Sequence, residues 1–129
     1  MILADTSAWI EFLRATGSDT HVRVRELLKA GELATTDAVT MEVLVGARDS
    51  AHRDRLKRLL LRCEFVAIQG PFDYENAAEV ARACRRAGEG VRGLIDCLIA
   101  CVAMRRELPV LHADGDFDTI ARHTALELA

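Results

Sequence analysis

Apolar residues fall along the chain in two kinds of block. Some are short, continuous and bounded by turn-forming residues, as buried strands are; others recur every three or four positions, as one face of a helix does. Residues 1–4 are of the first kind, predict a buried strand and end at Asp5. Thr6 or Ser7 can cap a helix over residues 8–15, with Trp9, Ile10 and Leu13 on one face, broken at Gly17-Ser18. A second helix is expected over residues 19–30, stopped by Gly31. Residues 32–35 predict a short strand. Thr36 or Asp37 then caps a helix carrying Val39, Glu42, Val43 and Val45 and ending near Gly46.

The second half repeats the alternation. Residues 50–62 predict a helix with Leu56, Leu59 and Leu60 inward, and residues 65–68 a strand. After the Gly70-Pro71 turn a helix extends to about Ala87 and Gly88. Gly90 and Gly93 make a loop before residues 94–106, which are apolar on nearly all sides and predict a central buried helix. Residues 110–112 predict a strand, Asp114-Gly115-Asp116 a turn, residues 117–123 a short helix and residues 125–128 a final edge strand. Strands alternating with helices predict a single-domain α/β fold over residues 1–129. It is a three-layer sandwich with a mainly parallel central sheet and right-handed crossovers.

Composition narrows the class. Half of the 129 residues are hydrophobic, enough for a substantial core. The net charge of −3 argues weakly against a nucleic-acid partner, but the average conceals zones. Residues 48–62 hold six Arg and Lys (Arg48, Arg53, Arg55, Lys57, Arg58, Arg62) against two acids, and Arg82, Arg85, Arg86 and Arg92 form a second basic group. Such a chain can meet a polyanion at one zone and cations at another. The four cysteines form no CxxC pair and read as small buried residues with free thiols, suited to a reducing cytoplasm. Asp5 and Glu11 interrupt the N-terminal apolar run, so no secretory signal is expected, and no apolar run reaches membrane-spanning length.

Four acids stand where chemistry is expected. Ligands of open parallel sheets bind beyond the carboxyl ends of the strands. Asp5 and Asp114 each follow an apolar strand at that edge, although an aspartate there also serves as a turn former or cap. Glu42 and Asp96 interrupt otherwise apolar helices. An ionised carboxylate in such surroundings is costly unless it is paired, metal-bound or at a helix end. Asp96 lies in a first helical turn, where the dipole helps, and Glu42 can face outward. If the four converge, like-charge repulsion raises some of their pKa values and a divalent cation relieves it. An all-oxygen set with no matching Cys or His favours Mg²⁺ or Mn²⁺ over zinc. Such an ion activates water and stabilises charge on a phosphate under attack.

At these positions the sequence resembles the PIN-domain nucleases, and within them the VapC-type toxins of toxin–antitoxin pairs. The resemblance spans essentially the whole chain. It rests on four blocks: residues 5–10 (DTSAWI), 36–47 (TDAVTMEVLVGA), 90–100 (GVRGLIDCLIA) and 111–117 (LHADGDF). It implies catalytic roles for Asp5, Glu42, Asp96 and Asp114, with metal held by Asp5, Asp96, Asp114 and also Asp116, unless Asp116 caps the helix after it. It further implies a Mg²⁺- or Mn²⁺-dependent endoribonuclease acting on structured RNA, tRNA above all, as a homodimer restrained by a VapB-type antitoxin. Many members carry Thr or Ser before the fourth acid where this chain has Ala113, so a water or ion held by that hydroxyl needs another holder. Thr6 and Ser7 are candidates, alongside Arg92 and Arg48, for contacts to substrate; Arg92 lies four residues before Asp96 in a glycine-flanked loop. Trp9, Phe117 and His112 read as packed side chains, and His21, His52 and His123 carry no specific signal.

Two other readings fit parts of the pattern. An acidic-site Mg²⁺ phosphatase phosphorylated on Asp5 would need a second Asp soon after it and a downstream Lys; Asp5-Thr6-Ser7 lacks the first, and no lysine follows Lys57. A non-catalytic RNA- or protein-binding module of the same fold is the other, and the presence of all four acids argues against it.

Overall fold

The computed structural model describes all 129 residues, Met1–Ala129. Four strands, β1 (Ile2–Ala4), β2 (Leu33–Thr36), β3 (Glu64–Val66) and β4 (Val110–Leu111), form one sheet in the order β3-β2-β1-β4. Every pairing is parallel. Helices α1 (Thr6–Leu13) and α2 (Asp19–Ala30) join β1 to β2. Helices α3 (Asp37–Val45) and α4 (Ser50–Leu60) join β2 to β3, and α5 (Phe72–Arg86) and α6 (Leu94–Arg105) join β3 to β4. Helix α7 (Gly115–His123) follows β4.

The strand order explains the layers. From β1 to β2 to β3 the chain steps one way across the sheet; from β3 to β4 it returns past both to the far edge. Right-handed crossovers then put α1–α4 on one face and α5 and α6 on the other. The packing agrees: α1 lies on α2, α3 on α4, and α5, α6 and α7 on one another. The sheet's direction of travel reverses between β1 and β4, and their carboxyl ends meet there. That crevice is where α/β sheets bind ligands.

The core fills both interlayer spaces. Trp9, Leu3, Val39, Ile99, Val102 and Phe117 are fully buried, and residues 97–103 of α6 are buried without a break, as their all-round apolar pattern requires. Leu94 opens α6 with 70% of its surface exposed, so burial begins only past the first turn. All four cysteines are free thiols, and three are buried. No helix is long and apolar enough to cross a membrane.

Local differences from expectation have simple causes. Helix α1 begins at Thr6 rather than residue 8, and its cap is Asp5, whose extended backbone (φ −71°, ψ 163°) lets the carboxylate accept from Ser7 N–H. Neither Thr6 nor Ser7 is the cap. Helix α7 begins at Gly115 rather than Phe117 and is capped by Asp114, which frees Asp116 from that role. The final edge strand reduces to a single parallel bridge between Val110 and Leu128. The chain around it pairs through Val110 N–H to Glu127 O and Ala129 N–H to Val110 O, too few bonds to extend a ladder.

Candidate active site

The carboxyl ends of β1 and β4, the first turn of α6 and the middle of α3 bring five carboxylates to the crevice. Asp5 is 2% exposed. Its Oδ2 accepts from Ser7 N–H at 3.0 Å and from Ser7 Oγ–H at 2.5 Å, while its buried Oδ1 has no hydrogen-bond partner. Such an atom is costly to leave bare. Asp96, Asp114 and Asp116 each offer one oxygen within 4.8 Å of the others. Glu42 reaches the crevice from α3 and accepts from Thr6 Oγ–H at 2.7 Å.

The chain locks these acids in place with short local bonds. Ser7 Oγ donates to Asp5 and accepts from Ala113 N–H at 2.8 Å, so one hydroxyl ties the end of β1 to the segment after β4. This places a hydroxyl at the segment where Ala113 lacks one. Asp114 N–H donates to His112 Nδ1 at 3.1 Å, and Asp116 N–H donates to Asp114 Oδ1 at 2.9 Å. Asp116 Oδ2 accepts from Arg92 N–H at 3.1 Å, which fastens the loop before α6 to α7.

The electrostatics are those of a site short of positive charge. Burial pushes the Asp5 carboxyl above the usual range; the Ser7 bonds oppose the rise and the Asp114 charge adds to it. Asp96 is pushed up to about 8, first by burial and then by the charges of Asp5, Asp114, Asp116 and Glu42. Only Asp116 has a basic side chain within reach, Arg92 Nε at 3.9 Å, and the Arg92 side chain is 85% exposed. An all-carboxylate set with an unsatisfied buried oxygen and two carboxyls shifted upward fits a hard divalent cation. Asp96, Asp114 and Asp116 are placed to hold it, with Asp5 beside them.

The residues expected to bind substrate divide. Thr6 and Ser7 spend their hydroxyls on Glu42, Asp5 and Ala113. Arg92 borders the carboxylates. Arg48 lies outside the cluster but lines one groove with Glu42, Arg14 and His52. Arg14 and His52 were not singled out by sequence, since a lone arginine after an apolar helix and a histidine in a basic one carry no periodic signal. The buried roles of Trp9 and Phe117 hold, and the His112 ring packs 5.4 Å from that of Phe117.

The arrangement matches known proteins. The PIN-domain family profile matches residues 2–123. Over its whole length the chain is 46% identical to ribonuclease VapC11 of Mycobacterium tuberculosis and to VapC ribonuclease Mb1587 of Mycobacterium bovis, covering 98% of each. Among solved structures, VapBC2 from Rickettsia felis, bound to a promoter DNA fragment, superposes with a TM-score of 0.76 at 18% identity, over 100% of this chain and 98% of that one. FitAcB from Neisseria gonorrhoeae gives 0.76 at 18%, over 99% and 96%. VapC20 of Mycobacterium tuberculosis, described as a toxin cleaving the sarcin–ricin loop, gives 0.67 at 16%, over 98% and 99%. The chain belongs to the PIN-domain family and, within it, to the VapC ribonucleases.

Proposed function

We propose that the protein is the toxin of a toxin–antitoxin pair. It is an endoribonuclease that hydrolyses phosphodiester bonds of structured RNA, tRNA first among them, with Mg²⁺ as cofactor and Mn²⁺ as a substitute. The observation that carries this reading is the meeting of Asp96, Asp114 and Asp116 oxygens within 4.8 Å beside a buried, unsatisfied Asp5 oxygen. A divalent cation there supplies Lewis-acid stabilisation of the phosphate and lowers the pKa of water.

The chain's own groups do the rest. Asp5, Asp96, Asp114 and Asp116 hold the cation. Thr6 fixes the Glu42 carboxylate by donating to one of its oxygens, leaving the other to accept a proton or orient water. Arg92, exposed at the edge of the cluster, meets a phosphate oxygen. Ser7 holds the first and fourth blocks in register. Hydrolysis adds water across one P–O ester bond, and no side-chain nucleophile is needed.

A VapB-type antitoxin restrains the enzyme, a homodimer acting in the cytoplasm. The likeness to VapBC2 supports a protein partner of that kind, and the free thiols suit a reducing compartment. The test is incubation of the purified chain with total tRNA and ribosomal RNA in Mg²⁺, Mn²⁺ or EDTA, with mapping of new RNA ends. Discrete metal-dependent cuts that vanish in Asp5→Ala and Asp96→Ala are expected. Binding of RNA without any cut would favour a non-catalytic module.

A further inference from the structure

A groove of about 320 Å³ lies between α1, α3 and α4, and Glu42 of the carboxylate cluster is among its lining residues. Ile10 and Leu13, 40% and 41% exposed, line it with apolar surface, and Arg14, Arg48 and His52 join Glu42 in its polar lining. The size lies at the small end of the ~300–1,000 Å³ typical of ligand pockets.

The corner carrying the cations is pinned. Asp49 caps α4 by accepting from His52 N–H at 2.7 Å, and Arg48 N–H donates to His52 Nδ1 at 3.0 Å. Nδ1 of His52 is thereby occupied as an acceptor, which leaves Nε2 to donate. Arg14 and Arg48 have no carboxylate within ion-pair distance, unlike Arg53, Arg82, Arg92, Arg105, Arg106 and Arg122. Apolar lining with uncommitted cations, beside the Glu42 carboxylate, complements a polyanion that also carries flat apolar groups.

We propose that this groove is the subsite for the nucleotide adjoining the scissile phosphate in an unpaired stretch of RNA. Arg14, Arg48 and His52 take its phosphates, and the apolar surface of Ile10 and Leu13 takes its ribose and base. The proposal rests on the nuclease reading above and adds the path of the strand: past Glu42 and onto the start of α4, not along the whole basic face of that helix. Phosphate contacts position the chain, and the apolar surface tolerates any base.

The test uses the full chain and a 5′-labelled RNA oligonucleotide spanning a mapped cut, at fixed Mg²⁺ over a series of monovalent salt concentrations. Arg14→Ala and Arg48→Ala should each raise KM about 3- to 5-fold with kcat nearly unchanged, the size of an exposed charge contact. Each should also lower the slope of log KM against log salt by about 0.7, the loss of one phosphate contact to a single strand. Leu13→Ser should raise KM without altering that slope. Arg25→Ala, an exposed arginine of α2 outside the groove, should change neither. Unchanged KM and slope in both groove arginine variants, while the unaltered chain cleaves, would overturn the groove and leave the nuclease standing. The same result with lost capture of a co-expressed antitoxin would make the groove a protein-docking site instead. Absence of cleavage by the unaltered chain would overturn both.

Discussion

The molecule buries aspartates at two places and treats them in opposite ways. Asp73, in the first turn of α5, is fully buried, and both its oxygens are used: Oδ1 accepts from Arg105 Nε at 3.0 Å, Oδ2 from Arg105 Nη2 at 2.9 Å and from Gln69 N–H at 2.8 Å. Burial alone would raise its pKa, but the Arg105 hydrogen bonds, Gln69 and the Arg105 charge outweigh it and hold the carboxyl below the usual range. Asp5 and Asp96 face other acids, and both are shifted upward. A buried carboxylate with its cation built in joins α5 to the end of α6. A set of carboxylates with none built in holds electrostatic stress that an outside cation would relieve. Perturbed groups gather at functional sites for this reason, and the direction of the shift separates the two cases.

The comparison can be broken by mutation. The largest effect belongs to the carboxylate cluster: Asp96→Ala should lower the cleavage rate about 10³-fold or more, the equivalent of several kcal/mol of lost charge stabilisation, read in single-turnover RNA cleavage. The fold should survive. Next comes Asp73→Ala, which strands Arg105 and should cost about 3–5 kcal/mol of stability in denaturant unfolding, with activity per folded molecule retained. If Asp73→Ala abolished activity in folded protein, the structural role assigned to it would be wrong.

Smaller effects follow from pH. Asp96 binds its proton more tightly folded, near pH 8, than unfolded, near pH 4. The folded state then holds more protons between those values, so metal-free stability should fall as pH rises from about 4 to about 8. Asp96→Asn should flatten this slope, to which the raised Asp5 also contributes, and, with partial solvent access discounting the full shift, raise the metal-free Tm at pH 7.5 by roughly 5 °C, or about 1–2 kcal/mol. Thermal melts of the two proteins across pH check it, and an unchanged slope would contradict it. A change of similar size and opposite sign is expected for Ser7→Ala, which removes the bonds to Asp5 and from Ala113 and should cost about 1–2 kcal/mol in the same melts.

Much of this was legible in the chain because it depends on local pattern. Asp5 and Asp114 stood out by following apolar strands, and Glu42 and Asp96 by interrupting apolar helices. Long helices read well because their period is sustained; the edge strand did not, because four alternating residues say nothing about whether a neighbour continues the ladder. Asp73 was passed over, since an aspartate in the first turn of a helix is ordinary, and its partner lies 32 residues away. Asp116 could not be separated from a capping role until Asp114 was seen to fill it. The groove was also hidden: Arg14 and Arg48 come together only when α1 packs beside α3 and α4.

The central claim, that the cluster is a carboxylate set fitted to a divalent cation, is tested most directly by calorimetric titration of the purified chain with Mn²⁺ and Mg²⁺ across pH 6–9. The account predicts binding that releases up to one proton below pH 8, strengthens about tenfold per pH unit until Asp96 is ionised, and disappears in Asp96→Asn. Binding that ignores pH and survives Asp96→Asn would contradict it, as would no binding at all.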